Sequence, residues 1–152
     1  MIATIEEKDC LLTEDFIKVA VQSSISIPFF NSYVAAGFPS PAENFIEREC
    51  DLNELCITNQ EATYFVRVGS DSMSGDGISP SDILVVDCSR EPTEGRIVVV
   101  WLNGDHAVKR IHYTGEMVVL LSSNSKYLPI YVHPHDAFKV FGVVTNVIKR
   151  FC

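Results

Sequence analysis

Residues 96–113 read RIVVVWLNGDHAVKRIHY, in which two β-branched or aromatic runs flank the dipeptide Asn103-Gly104. An Asn-Gly pair between two such runs is a strong signal for a two-residue β-hairpin loop, because both residues accept a positive φ. The stretch therefore predicts an antiparallel hairpin, with one strand over 96–102 and the other over 105–113.

The register of this hairpin determines which side chains share a face. If Asn103-Gly104 is the loop, Leu102 pairs with Asp105, and Lys109 lies opposite Val98. Successive side chains of a strand point to opposite faces, so we expect Lys109 to project from an almost wholly apolar face. Its predicted companions on that face are Ala107, Ile111, Val98, Val100 and Leu102.

Runs of the same kind, divided by turn residues, extend over residues 61–152. Besides the hairpin, the predicted strands are Ala62–Val68, Asp82–Cys88, Met117–Leu121 and Lys139–Phe151. The apolar part of the last run, Val140–Ile148, could be a dimer surface or equally a central core strand. The fold class is therefore mainly β.

Two helix-capping patterns precede this β-rich part. Ser40, Pro41 and Glu43 fit an N-cap, a first-turn proline and a capping-box glutamate, which predicts a short helix through about Arg48. The sequence Asp51-Leu52-Asn53-Glu54 repeats the capping pattern and predicts a helical turn near Leu52–Ile57. We therefore expect one or two short helices.

Length and composition indicate one globular domain preceded by an arm. The chain has 152 residues, of which 47% are hydrophobic and 21% charged, enough to bury a sizeable core. Residues 1–36 lack clean periodicity and are interpreted as an extended arm, which leaves 37–152 as the folded domain. Because we find no secretion signal and no stretch apolar enough to span a bilayer, we expect a soluble, cytoplasmic protein without membrane contact.

Charge and cysteine usage limit the partners. Twelve basic and twenty acidic residues give a net charge of −8, so direct sequence-specific DNA binding is not expected. Five cysteines without a C-x-x-C spacing indicate reduced thiols. His133 and His135 could supply two metal ligands, but no third has a recognisable spacing, so we expect neither metal nor cofactor.

Ser72 and Lys109 form the candidate catalytic pair. Ser72 lies in the glycine-rich turn 69–77, and a serine hydroxyl becomes a good nucleophile when a neutral lysine removes its proton. Burial of Lys109 on a dry face would lower its pKa and supply that neutral form. Two ordinary alternatives stay open for the residues taken singly: a lysine that extends its charge to water, and a serine that caps a turn.

A series of short motifs follows one order along Ile27–Lys149. They are Ala36-Gly37-Phe38-Pro39-Ser40-Pro41-Ala42, Asp51-Leu52-Asn53-Glu54-Leu55, Ala62-Thr63-Tyr64-Phe65-Val66, Asp71-Ser72-Met73, Gly77-Ile78, Val108-Lys109-Arg110, Asn124, Tyr127, Pro129-Ile130 and Val140-Phe141-Gly142-Val143-Val144. In these motifs the chain resembles the LexA/UmuD-type family of self-cleaving serine–lysine peptidases. The resemblance implies twisted antiparallel sheets with one or two short helices, preceded by an extended N-terminal arm.

The resemblance also implies the roles of individual residues. Ser72 would be the nucleophile, Lys109 the general base and the Ala36–Gly37 peptide bond the substrate, with N–H groups near Asp71 and Ser72 stabilising the oxyanion. It further implies a homodimer and cleavage stimulated by a RecA–single-stranded DNA filament. The product, residues 37–152, would be the accessory subunit of a UmuC-type translesion polymerase.

The chain departs from the family at Ser70, where a glycine is usual. A second hypothesis is therefore a regulatory interaction module of the same fold, in which Ser70 has silenced the catalytic pair. A LexA-like repressor fragment is disfavoured, because residues 1–36 show no helix-turn-helix pattern.

Overall fold

A computed structural model of the chain describes residues 16–18, 24–30 and 46–152. The strands of this described part are β1 (Phe16–Lys18), β2 (Ile27–Phe30), β3 (Ile46–Cys50), β4 (Thr63–Arg67), β5 (Ile83–Asp87), β6 (Ile97–Leu102), β7 (Asp105–Thr114), β8 (Met117–Leu121), β9 (Ile130–Val132) and β10 (Phe138–Ile148). The helical elements are α1 (Leu52–Cys56) and 3₁₀ turns at Gln60–Ala62 and Ser74–Asp76. The prediction of a mainly β fold with few helices is confirmed.

Antiparallel pairing organises the strands into two sheets. The larger sheet has eight strands in the order β1-β4-β5-β10-β6-β7-β8-β9, and β2 pairs with β3 in a separate two-stranded sheet. Strand β10 lies between β5 and β6, so both of its backbone edges are paired. Val140–Ile148 is thus a central strand of the sheet, the second of the two predicted possibilities.

The predicted hairpin is confirmed in its register and its turn. Leu102 pairs with Asp105, and Val98 pairs with Lys109. Asn103 and Gly104 have φ values of 50° and 99°, as the loop of a tight hairpin requires. The turn therefore places Lys109 on the predicted face of β7.

Strand β6 contributes to a hydrophobic cluster on each face of the sheet. Val99 packs with Met73, Ile78, Leu84 and other residues on one face. On the opposite face, Val98 and Val100 pack with Ile111, Leu120 and Val143. Because β6 is apolar on both faces, it packs against the turn around Met73 with one face, and its neighbour β7 carries Lys109 on the other.

The prediction of a helix through Arg48 is wrong at its C-terminal end. Residues 46–48 belong to β3, where Arg48 pairs with Phe29 and Cys50 with Ile27 of β2. A capping pattern reports only local preference, which pairing with a distant strand can override. The beginning of that predicted helix, at Ser40, Pro41 and Glu43, lies outside the described residues.

The second capping prediction is confirmed. The Oδ1 atom of Asp51 accepts a hydrogen bond from the backbone N–H of Asn53 at 2.7 Å and caps α1.

Among the helices of the described residues, none has the length and apolar character needed to cross a bilayer.

The pairing of β2 with β3 also locates the predicted cleavage site along the chain. Residues 31–45 connect these two neighbouring strands, and they contain the Ala36–Gly37 bond. Both residues of the bond lie outside the described residues.

Candidate active site

The turn that carries Ser72 lies between β4 and β5 and is fixed by its own backbone. The N–H of Ser74 donates to the carbonyl of Asp71, and the N–H of Ile78 donates to the carbonyl of Met73. The Met73 side chain is 1% exposed and anchors the turn in the hydrophobic cluster around Val99. Ser72 itself is 3% exposed. A packed methionine thus holds the adjacent serine in a defined, nearly buried position.

The segment after β8, residues 122–127, packs directly against this turn. Ser123 makes two contacts, because its carbonyl accepts the Gly75 N–H and its hydroxyl accepts the Asp76 N–H, each at 3.1 Å. A Cβ atom at Gly75 would lie 2.1 Å from the Ser123 carbonyl oxygen, far inside van der Waals contact. The close approach of the two segments therefore depends on a glycine at position 75.

Asn124 and Tyr127 hold the other side of the turn. The Asn124 side-chain amide donates to the carbonyl of Asp71 at 3.0 Å, and the Tyr127 hydroxyl donates to the Asp71 carboxylate at 2.5 Å. The bond from Tyr127 holds the pKa of the Asp71 carboxyl below its usual range, and it raises the pKa of the Tyr127 hydroxyl. The residue immediately before Ser72 is thus held by two side chains from a distant part of the chain.

Lys109 points from β7 into the apolar face, as predicted. It is 6% exposed, and burial lowers the pKa of its ammonium. Its Nζ atom donates to the Ser122 hydroxyl at 2.9 Å and lies 5.2 Å from the centre of the Tyr127 ring. The structure thereby excludes the alternative in which Lys109 extends its charge fully into water.

Tyr127 connects the two halves of the candidate site, because it contacts Lys109 with its ring and Asp71 with its hydroxyl. Ser72 accepts a hydrogen bond from the Ser70 hydroxyl at 3.2 Å. Among the hydrogen bonds of the described residues, none joins Ser72 directly to Lys109. The contacts of the two residues run through different serines, Ser70 for Ser72 and Ser122 for Lys109.

The backbone at the predicted oxyanion positions is not equivalent. The N–H of Asp71 interacts with the carboxylate of the same residue. Within the described part of the chain, no acceptor pairs with the N–H of Ser72. The Ser72 N–H can therefore donate to an external oxygen.

A groove of about 330 Å³ opens beside Ser70. The segment that leaves β4 forms one side, and strands β6 and β7 form the other side. Residues that line it include Arg67, Val68, Ser70, Val99, His106 and Val108. Neither Ser72 nor Lys109 lines this groove, and Val99 and Val108 belong to the face of the sheet opposite Lys109.

Ser122 and Ser123 are site residues that the sequence reasoning missed. The signal was present in the strand pairing: β7 and β8 are antiparallel, and Arg110 pairs with Leu121. The next pair in that register brings Ser122 beside Lys109. Pairing the predicted strands Asp105–Tyr113 and Met117–Leu121 across their short turn would have found this neighbour.

The other candidate groups remain apart from the site. None of the cysteines in the described part of the chain is in a disulfide. His133 and His135 stack with ring centres 5.6 Å apart. Over the same residues, no cluster of three or more His, Cys, Asp or Glu side chains is placed to hold a metal ion.

Comparison with known proteins gives a consistent family assignment. A model of the Peptidase S24-like family matches residues 28–145. Protein SamA of Salmonella typhimurium is 39% identical over 123 residues, which cover 81% of this chain and 85% of that protein. Protein ImpA of Escherichia coli is 37% identical over 81% of this chain and 83% of that protein. A LexA repressor of Anaeromyxobacter dehalogenans is 34% identical over 83% of this chain and 56% of that protein. The resemblance found in the motifs is thus confirmed, and the chain belongs to the Peptidase S24-like family.

Proposed function

We propose that this protein is a UmuD-like peptidase that cuts its own Ala36–Gly37 bond, with Ser72 as nucleophile and Lys109 as general base. The observation that carries the proposal is the environment of Lys109. Its amine is buried on an apolar face, its pKa is lowered, and Tyr127 links it to the turn that carries Ser72. A lysine in such surroundings supplies the neutral amine that a serine nucleophile needs.

The first half of the reaction transfers the acyl group to the serine. Neutral Lys109 takes the proton from the Ser72 hydroxyl while the Oγ atom of Ser72 attacks the carbonyl carbon of Ala36. The Ser72 N–H stabilises the negative oxygen of the tetrahedral intermediate, with the Asp71 N–H as a second predicted donor. The Lys109 ammonium then protonates the departing amine of Gly37, which breaks the peptide bond and leaves Ala36 esterified to Ser72.

The second half returns the enzyme to its starting state. Lys109, neutral again after giving up its proton, takes a proton from a water molecule that attacks the ester. Collapse of the second intermediate releases the new carboxyl group of Ala36 and returns the proton to the Ser72 oxygen. The scheme requires the Ser72 hydroxyl to rotate from Ser70 toward Lys109.

The substrate segment suits this chemistry. Ala36 and Gly37 carry little or no side chain, so the backbone can come close to the nucleophile. The segment is tethered to the body that cuts it, which removes part of the entropic cost of bringing the reactants together.

The wider role follows from the resemblance to the family. In this proposal a RecA–single-stranded DNA filament stimulates cleavage in the SOS response to DNA damage. The product, residues 37–152, acts as a cytoplasmic homodimer and accessory subunit of a UmuC-type translesion polymerase. The net charge of −8 supports contact with DNA through these partners rather than directly.

One observation favours the second candidate function, a regulatory module that does not cut itself. The Ser72 hydroxyl is paired with Ser70, the residue that replaces the usual glycine. If that contact cannot be broken, the site is silent and the fold serves only for interaction.

Incubation of the purified protein over a range of pH separates the two functions. Higher pH removes the proton from Lys109, so self-cleavage should accelerate toward about pH 10 without any partner. We expect a new fragment whose N-terminal residue is Gly37, and no fragment from Ser72→Ala or Lys109→Ala. A wild-type chain that stays intact after prolonged alkaline incubation would support the non-cleaving module.

A further inference from the structure

We propose that Ser122 is a positioning residue for Lys109, and that its hydroxyl sets the direction in which the lysine amine points. The inference rests on the proposed self-cleavage and adds a third residue to its machinery. It starts from one contact, the hydrogen bond of 2.9 Å that Lys109 Nζ donates to the Ser122 hydroxyl oxygen.

A general base must point its lone pair at the proton that it removes. A neutral lysine amine has one lone pair and two N–H groups, and its four-carbon chain rotates freely when nothing holds it. A hydrogen bond from one N–H to Ser122 removes most of this freedom. The Tyr127 ring, 5.2 Å from Nζ, occupies a second side of the amine. Together, the hydrogen bond to Ser122 and the Tyr127 ring limit the directions in which the lone pair of the amine can point.

Ser122 is well placed to act as a fixed reference. It directly follows β8, whose Leu121 pairs with Arg110 of β7, so the sheet itself brings Ser122 beside Lys109. The next residue, Ser123, is bonded to Gly75 and Asp76 in the turn of the nucleophile. The hydroxyl that holds the base is therefore tied through one peptide unit to the turn that carries Ser72.

The same contact has an electrostatic effect that can be measured. An acceptor oxygen stabilises an ammonium more than a neutral amine, so Ser122 raises the pKa of Lys109 and opposes the effect of burial. Tyr127 is the titratable residue in contact with the amine, and its hydroxyl donates to Asp71. Arg110, the neighbour of Lys109 in the chain, points to the opposite face of β7, where it forms an ion pair with Asp76.

Removal of the hydroxyl should lower two quantities for two different reasons. In Ser122→Ala, the pH at which the cleavage rate is half-maximal should fall, because Lys109 loses its proton more easily. The alkaline plateau of the rate should drop about tenfold to a hundredfold, because the amine is no longer aligned. Ser122→Thr, which keeps a hydroxyl, should restore both quantities toward the wild type. The exposed Ser125, changed to alanine, is the matched control and should cut like the wild type.

An unchanged plateau in Ser122→Ala would overturn the inference. So would a reduced plateau with an unchanged midpoint, because that result indicates general damage to the fold rather than a lost contact with the base.

A second measurement separates the failure of this inference from the failure of the proposed function. NMR titration of the Lys109 side chain in Ser72→Ala, which cannot cut, reports the pKa of the amine directly. Addition of Ser122→Ala should lower that pKa, and equal values in the two proteins would contradict the inference even if the wild type cuts. A wild type that fails to cut at every pH would refute the proposed function, while the titration would still test the contact.

Discussion

The Tyr127 hydroxyl donates a hydrogen bond of 2.5 Å to the carboxylate of Asp71, 56 residues earlier in the chain. This one contact joins the segment after β8 to the residue that precedes Ser72. The ring of the same tyrosine faces the Lys109 ammonium. Because the bond raises the pKa of Tyr127, the hydroxyl keeps its proton in the alkaline range where Lys109 loses its own.

Tyr127→Phe should weaken self-cleavage without abolishing it. The phenyl ring keeps its place over Lys109, but Asp71 loses the donor that holds it beside Ser72, so we expect a drop of about threefold to tenfold. Tyr127→Ala removes the ring as well and should be more severe. Rates of fragment formation at one alkaline pH compare the variants, and a wild-type rate for Tyr127→Phe would refute the role of the bond.

The stability that Tyr127→Phe loses relative to the wild type should depend on pH. The pKa of Asp71 is lowered in the folded chain, so the bond from Tyr127 stabilises the fold above the usual aspartate pKa of about 3.9. This stabilisation is lost as the pH falls through the lowered pKa. Urea unfolding should therefore show wild type more stable than Tyr127→Phe at pH 6, with the difference shrinking in strong acid.

Lys109→Met should abolish cleavage and make the protein more stable at neutral pH. Because burial lowers the pKa of Lys109, the unfolded chain binds its proton more readily than the folded chain. The wild type should therefore gain stability as the pH rises toward the usual lysine pKa of about 10.4, whereas the methionine variant has no such gain. Unfolding free energies at pH 7 and pH 10 test this. A variant that is less stable at pH 7 would contradict it.

Gly75→Ala should separate the serine turn from the segment after β8. The added Cβ would lie 2.1 Å from the Ser123 carbonyl oxygen, so one backbone must move and the bond between them is lost. We expect a loss of about 1–3 kcal/mol in the free energy of unfolding, together with slower cleavage. Gly69→Ala is the matched control for stability, because no atom lies within 4 Å of its added Cβ. Equal losses in the two variants would show that the close contact at Gly75 is not the cause.

Ser70→Ala tests how the serine that replaces the family's usual glycine affects the rate of self-cleavage. The Ser70 hydroxyl donates to the Ser72 oxygen at 3.2 Å, and this hydrogen bond occupies a lone pair of the oxygen that must attack. Removal of this hydrogen bond, worth about 1 kcal/mol, should raise the rate of self-cleavage in Ser70→Ala about fivefold. Slower cleavage in Ser70→Ala would instead mean that Ser70 assists the nucleophile.

The part of the site that lies on regular strands could be predicted from the sequence. Asn103-Gly104 fixed the register of one hairpin, and that register correctly placed Lys109 on the buried face opposite Val98. The rule works because a two-residue turn leaves little freedom in the pairing that follows. The prediction of a mainly β fold rests on the same local signals, and the observed sheets confirm it.

The contacts around the serine turn could not be predicted in this way. Asp76 and Ser123 are 47 residues apart, and no local preference shows that they meet. The helix predicted through Arg48 failed for a related reason, because β2 supplies a pairing partner that local capping rules do not consider. The identity of Ser70, by contrast, was visible in the sequence, and the structure supplies its contact with Ser72.

The proposed cut would fall between strands that are partners in the intact chain. Strands β1 and β2 precede residue 36, whereas their partners β4 and β3 follow residue 37. Scission of the linking segment would turn both pairings into contacts between separate molecules, whose survival depends on concentration and therefore on dilution. Once the short fragment diffuses away, the outer backbone groups of β4 would lose their partner. An unpaired strand edge of this kind can form backbone hydrogen bonds with a strand of another polypeptide.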